Sequence, residues 1–158
     1  MKELWEAGEF IRKLRRRMFY GEFSRGHLRL LRLEVRSDCA ELNWVARPAD
    51  VWAANLPPHI RDRDVSLQAV KDAIELRDAF FAALTDVEVA EFKGYRQEGR
   101  ERPRLIISGT VTRDVPALPR LSSPVMKAKL CGFHFQLDDG VLEPLDSGEG
   151  EVQFKVTA

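Results

Sequence analysis

Residues 31–46 read LRLEVRSDCAELNWVA, and this stretch decides the fold. Leu31, Leu33 and Val35 alternate with Arg32, Glu34 and Arg36, the period of a strand with one buried and one wet face. Ser37-Asp38 supplies a turn. Ala40, Leu42, Trp44 and Ala46 then share one face of a returning strand, with Glu41 and Asn43 on the other. Strands joined by so short a turn run antiparallel, so residues 27–47 read as a hairpin. The alternation slips between Leu30 and Leu31, which predicts a bulge there.

On the N-terminal side, residues 2–20 read as an amphipathic helix. Leu4, Ala7, Ile11, Leu14 and Met18 recur at steps of three and four, and Gly21 ends the run. On the C-terminal side, residues 48–64 read as a long connection punctuated by Pro48, Pro57 and Pro58, and it holds Trp52 and His59. Loops of that length inside compact domains are often functional. Residues 66–84 form the clearest helix, with Ser66 as N-cap and Leu67, Val70, Ile74, Phe81 and Leu84 on its buried face. Lys71, Asp72, Glu75 and Asp78 occupy the opposite side.

Two more strands follow, Val87 to Tyr95 and Leu105 to Thr112, joined by the charged tip Gln97 to Arg104. After a proline-rich connection, Ser123-Pro124 opens a short helix that ends at Gly132. Phe133, Phe135 and Leu137 form a strand, Asp139-Gly140 is a two-residue hairpin turn, and Val141 to Leu145 returns. A last strand is expected at Val152, Phe154 and Val156. The order predicts an α+β protein: a mostly antiparallel sheet of hairpin-linked strands, with two main helices and one short helix packed on one face.

The 158 residues suit a single globular domain spanning 1–158. With 44% hydrophobic and 32% charged residues the chain falls in the globular range and can bury a core without disulfide or metal staples. The formal net charge is zero, so no global field draws nucleic acid or membrane. Cys39 and Cys131 form no disulfide framework. Glu3, Glu6 and Glu9 interrupt any signal-peptide core, and no stretch is long and apolar enough to span a bilayer, so a soluble cytoplasmic protein is expected.

Charge is unevenly placed. The chain through Arg36 carries a net charge of about +5, and the chain from Leu137 onward about −5. Arg12, Lys13, Arg15, Arg16 and Arg17 are candidate phosphate contacts, since guanidinium groups offer planar paired donors. Helix electrostatics accounts for the same residues: glutamates sit in the first turns and arginines in the last, as the helix dipole favours. At roughly 100° per residue the basic groups also scatter around the helix. Trp5 projects away from the apolar stripe and is a candidate partner contact, as is Trp52.

Other constellations are weaker. Cys131-Gly-Phe-His134 holds a thiol and an imidazole, but no second half of a zinc site or nucleophile relay accompanies them. Asp138-Asp139-Gly140 lacks the alternating acids of a calcium loop and is explained by the turn. No phosphate loop, dinucleotide fingerprint or nucleophile elbow is present. No metal, cofactor or catalytic residue is therefore expected. The first expectation is a non-catalytic accessory protein acting through protein–protein contacts or self-association. A nucleic-acid-binding module using the N-terminal helix is the alternative. An enzyme or small-ligand carrier, with its pocket between sheet and helices, is the third.

Overall fold

The computed structural model describes residues 2–17, 28–36, 39–49, 55–114 and 123–145, and in the first helix the side chains of residues 5–12 and 14. The hairpin forms over the expected residues, but Leu31, expected on the buried face, is 47% exposed, and Asn43, expected on the other face of β2, is buried. Strand β1 (Arg29–Val35) pairs antiparallel with β2 (Cys39–Val45), Leu33 opposite Leu42. The register shifts between Leu30 and Arg32, which places the expected bulge at Leu31.

Helix α2 (Pro58–Ala83) starts eight residues earlier than the periodicity suggested. The Pro57-Pro58 pair is the reason: proline is accepted in the first helical turn, where its missing N–H would have had no partner. Ser66 is therefore no cap. It is buried within the helix, and its Oγ accepts from the Leu142 N–H at 2.8 Å.

The sheet departs from the antiparallel expectation. Its order is β1-β2-β3-β4, with β3 (Val89–Arg96) parallel to β2, Leu42 opposite Phe92, and antiparallel to β4 (Arg104–Thr112). The sheet is thus mixed: two antiparallel hairpins are joined through a parallel central pair. The cause is the length of α2. Its 26 residues span about 39 Å at ~1.5 Å per residue, enough to carry the chain back along a seven-residue strand. The next strand then enters from the same end as β2, the geometry of a β-α-β crossover.

One apolar core joins the sheet to all three helices. Ala40, Leu42 and Trp44 of β2 and Ala90 and Phe92 of β3 alternate into it, while Glu41, Glu91 and Lys93 share the other face, with Lys93 Nζ 3.6 Å from Glu91. Helix α1 (Lys2–Arg17) contributes Phe10 and Leu14. Phe10, which the expected stripe did not include, is fully buried, edge-on to Phe80 at 5.5 Å; Phe80 in turn meets Phe92 at 5.5 Å. Residues 18–20, the last part of the expected helix, lie outside the described residues, as does the strand expected at Val152–Val156.

The C-terminal end of α2 has no basic residue in its last turn. Arg113, just beyond β4, takes that role. Its guanidinium donates to the carbonyls of Phe81 and Val87, each at 2.7 Å, and to that of Leu84, which satisfies acceptors that a helix end leaves open.

Helix α3 (Pro124–Cys131) opens at the expected Ser123 cap, whose Oγ accepts from Met126 N at 3.4 Å, and closes at Gly132 with φ of 110°. Gly132 rests on β4 so tightly that a Cβ on Gly109 would lie 2.2 Å from its carbonyl oxygen. His134 then exchanges backbone hydrogen bonds with Ser108 and covers part of the β4 edge. Strands β5 (Gln136–Asp138) and β6 (Val141–Glu143) form a separate hairpin, turned by Asp139 and Gly140, both at positive φ, as the Asp-Gly pair predicts. This hairpin docks on the N-terminal half of α2 through Ser66 and through His59 Nε2, 3.0 Å from Asp139. Among the described residues no helix is long and apolar enough to cross a membrane.

Candidate functional site

Parallel strands β2 and β3 end side by side, and Ala46 N donates to Tyr95 O at 2.7 Å, extending the pairing one step past β2. Residues 46–49 after β2, 97–99 after β3, and Arg61, Asp62, Val65 and Ser66 of α2 border the opening beyond this pair. A cleft of about 770 Å³ results. It sits at the carboxyl ends of the parallel pair β2 and β3.

Four arginines line the cleft, and each arrives there by a different route. Arg29 opens β1 and pairs opposite Val45, the last residue of β2. Arg47 follows β2 directly. Arg61 lies in the first turns of α2. Arg96 closes β3. Val45, Pro48, Val65 and Val141 supply apolar wall between them.

Two of the arginines are committed to the protein. Arg47 is buried, and its Nε donates to Asp72 Oδ2 at 2.8 Å; Gln68 Nε2 donates to Asp72 Oδ1 at 2.9 Å. Asp72, expected on the wet side of α2, is only 3% exposed. Burial pushes its carboxyl above the usual range, and attraction to Arg47 with the hydrogen bonds from Arg47 and Gln68 pulls the other way. The trio fixes the base of the cleft by tying the exit of β2 to the middle of α2. Arg96 donates through Nε and Nη2 to Glu98 Oε1 at 3.1 and 2.9 Å, and through Nη1 to Leu142 O at 2.6 Å. It tethers the end of β3 to the β5–β6 hairpin.

Arg29 and Arg61 differ. Neither guanidinium makes a hydrogen bond or ion pair among the described residues, and both border the cleft. Asp62, also on the cleft wall, likewise holds no cation among the described residues.

Of the partner and phosphate contacts singled out in the sequence, only Trp5 and Arg12 have described side chains, and neither lines the cleft. Trp5 is 66% exposed on α1, and Arg12 is exposed and ion-paired with Glu9 one turn away. The side chains of Lys13, Arg15, Arg16 and Arg17, and Trp52 altogether, lie outside the described residues. Cys131 is buried at the end of α3, and burial pushes its thiol up, which disfavours a nucleophilic thiolate; His134 is exposed, bonded through its backbone to Ser108. Both cysteines are free. Asp139 serves the hairpin turn and pairs with His59. Among the described residues no three His, Cys, Asp or Glu side chains cluster as a metal site.

The cleft was missed because its arginines are scattered along the chain and converge only through the crossover. The one sequence signal was the proline-punctuated segment between β2 and α2. The fold and cleft together define an α+β protein with a mixed sheet and a basic crevice at its parallel strand ends. No protein-family model matches the chain, and no curated protein or solved structure matches it significantly.

Proposed function

We propose that the protein binds a small anionic molecule in the crevice at the carboxyl ends of β2 and β3, as a carrier, sensor or enzyme. The observation that carries this reading is the pair of guanidinium groups, Arg29 and Arg61, that hold no partner among the described residues, on a cleft whose other two arginines are already neutralised. An arginine with no acid partner at a concave, partly apolar site is suited to a carboxylate or phosphate, which it can meet with two parallel donors. The rigid Arg47–Asp72–Gln68 base gives the cleft a fixed shape before any ligand arrives. Calorimetric titration of the full chain at low salt with inorganic phosphate, small phosphomonoesters and dicarboxylates tests the proposal. Arg61→Gln is expected to weaken the tightest binder by at least about tenfold, the worth of one charged hydrogen bond. Binding that is indifferent to both Arg61→Gln and Arg29→Gln would remove the crevice from consideration.

A protein-partner reading is favoured by a separate feature, Trp5, whose large ring stands 66% exposed on α1. Tryptophan is enriched among the residues that dominate interfaces, and its burial by a partner or a second copy would account for such exposure. Trp5→Ala is expected to release a bound partner in affinity capture or to shift a self-associating protein to monomer by light scattering. Unchanged capture and unchanged mass would leave that surface without a role. Arg12, by contrast, is ion-paired with Glu9 one turn away.

A further inference from the structure

Resting on the anion-binding reading of the crevice, we infer that its ligand is a zwitterion: a phosphomonoester or similar dianionic head joined to an ammonium group. The charges on the cleft wall decide this. Arg47 is spent on Asp72, and Arg96 on Glu98, which also has Arg104 at 3.8 Å. Three side chains remain with no partner among the described residues: Arg29, Arg61 and Asp62. Two cations match a dianionic head. One carboxylate on the same wall repels that head and attracts a cationic group next to it.

The helix separates the two kinds of contact. Arg61 and Asp62 are consecutive in α2, about 100° apart around its axis. Arg61 lies one turn before Val65, and Asp62 one turn before Ser66, the residue that receives the β5–β6 hairpin through Leu142 N. Asp62 thus sits on the hairpin's side of the helix and Arg61 on the neighbouring side, and both border the same cleft, with Asp62 and Arg29 exposed at its rim. A purely anionic ligand leaves Asp62 facing like charge. A purely cationic one leaves two guanidinium groups unmatched.

Two probes that differ only in the ammonium settle the matter: phosphoethanolamine and ethyl phosphate, titrated against the full chain at low salt by ligand-observed NMR. Phosphoethanolamine is expected to bind about two- to fivefold more tightly, the worth of one ion pair at the exposed Asp62 carboxylate. Asp62→Asn should erase that advantage while leaving ethyl phosphate at least as well bound as before. Equal binding of the two probes, both weakened by Arg61→Gln, would overturn the zwitterion and keep the anion site. Binding of neither probe, or binding that ignores Arg61→Gln, would overturn both. A thermal melt of each variant, unchanged from the parent, separates lost contacts from lost folding.

Discussion

Asp72→Ala is expected to destabilise the protein by about 3–5 kcal/mol, because it strands the Arg47 guanidinium in the interior with its counter-charge removed. Both side chains are almost wholly buried, at 1% and 4% exposure, so solvent cannot take over the missing contacts. The joint replacement Arg47→Met with Asp72→Leu should cost far less than Asp72→Ala alone, since well-packed apolar groups of similar volume avoid the desolvation of both ions. Urea denaturation of the three proteins measures this. A double replacement as damaging as the single one would show that the pair is needed for more than its own neutrality.

The same trio makes a statement about pH. Asp72 holds its proton more tightly in the folded than in the unfolded chain, because burial outweighs the help from Arg47 and Gln68. A carboxyl raised in this way contributes stability that is complete below its unfolded value and lost as pH rises through the folded value. Relative to the Arg47→Met, Asp72→Leu protein, the parent should therefore lose stability as pH rises from about 4 towards neutrality. The opposite slope would mean that Arg47 wins over burial.

Gly109→Ala carries the second large effect. The added methyl would stand 2.2 Å from the Gly132 carbonyl oxygen and 3.0 Å from the Phe133 Cα, both backbone atoms at the tightly capped end of α3. Neither can swing aside as a flexible side chain would. Gly132 cannot yield easily either, since its φ of 110° is already the left-handed cap and its own Cβ position lies 2.7 Å from the Thr110 oxygen. Relief requires α3 to lift from β4, breaking the His134–Ser108 backbone pair and loosening Phe133 from Phe92, 5.8 Å away. A loss of about 3 kcal/mol or more is expected, at the upper end for overpacking. Gly99→Ala offers the comparison: its φ is also positive, at 58°, but nothing lies within 4 Å, so it should cost only about 1 kcal/mol of backbone strain. Similar losses for the two would mean that the β4–α3 contact yields.

How much of this could be read from the residues follows from where the information lies. Local patterns were legible wherever one residue type forces one geometry: the Leu31 bulge, the Ser123-Pro124 helix start, the Gly132 stop and the Asp139-Gly140 turn all stand as the sequence suggested. The parallel pairing of β2 with β3 was not legible, because each hairpin is locally antiparallel and nothing in residues 46–88 names the strand's neighbour. Pro57 and Pro58 hid the first turns of α2, and with them the length that makes the crossover. Asp72 looked like a surface residue because its partner, Arg47, lies 25 positions away across the crossover. The crevice was hidden for the same reason: Arg29, Arg47, Arg61 and Arg96 become neighbours only once β2 and β3 point the same way. The cluster that stands out in the sequence, Arg12 to Arg17, does so because it is contiguous; apart from Arg12 and Leu14 its side chains lie outside the described residues.

Amide chemical-shift mapping of the labelled protein during titration with inorganic phosphate tests the central claim most directly. Shifts are expected to concentrate at Arg29, at Ala46 to Ala49, at Arg61 to Ser66 and at Arg96 to Gly99, saturating together. Shifts confined to α1, or none that saturate, would contradict it.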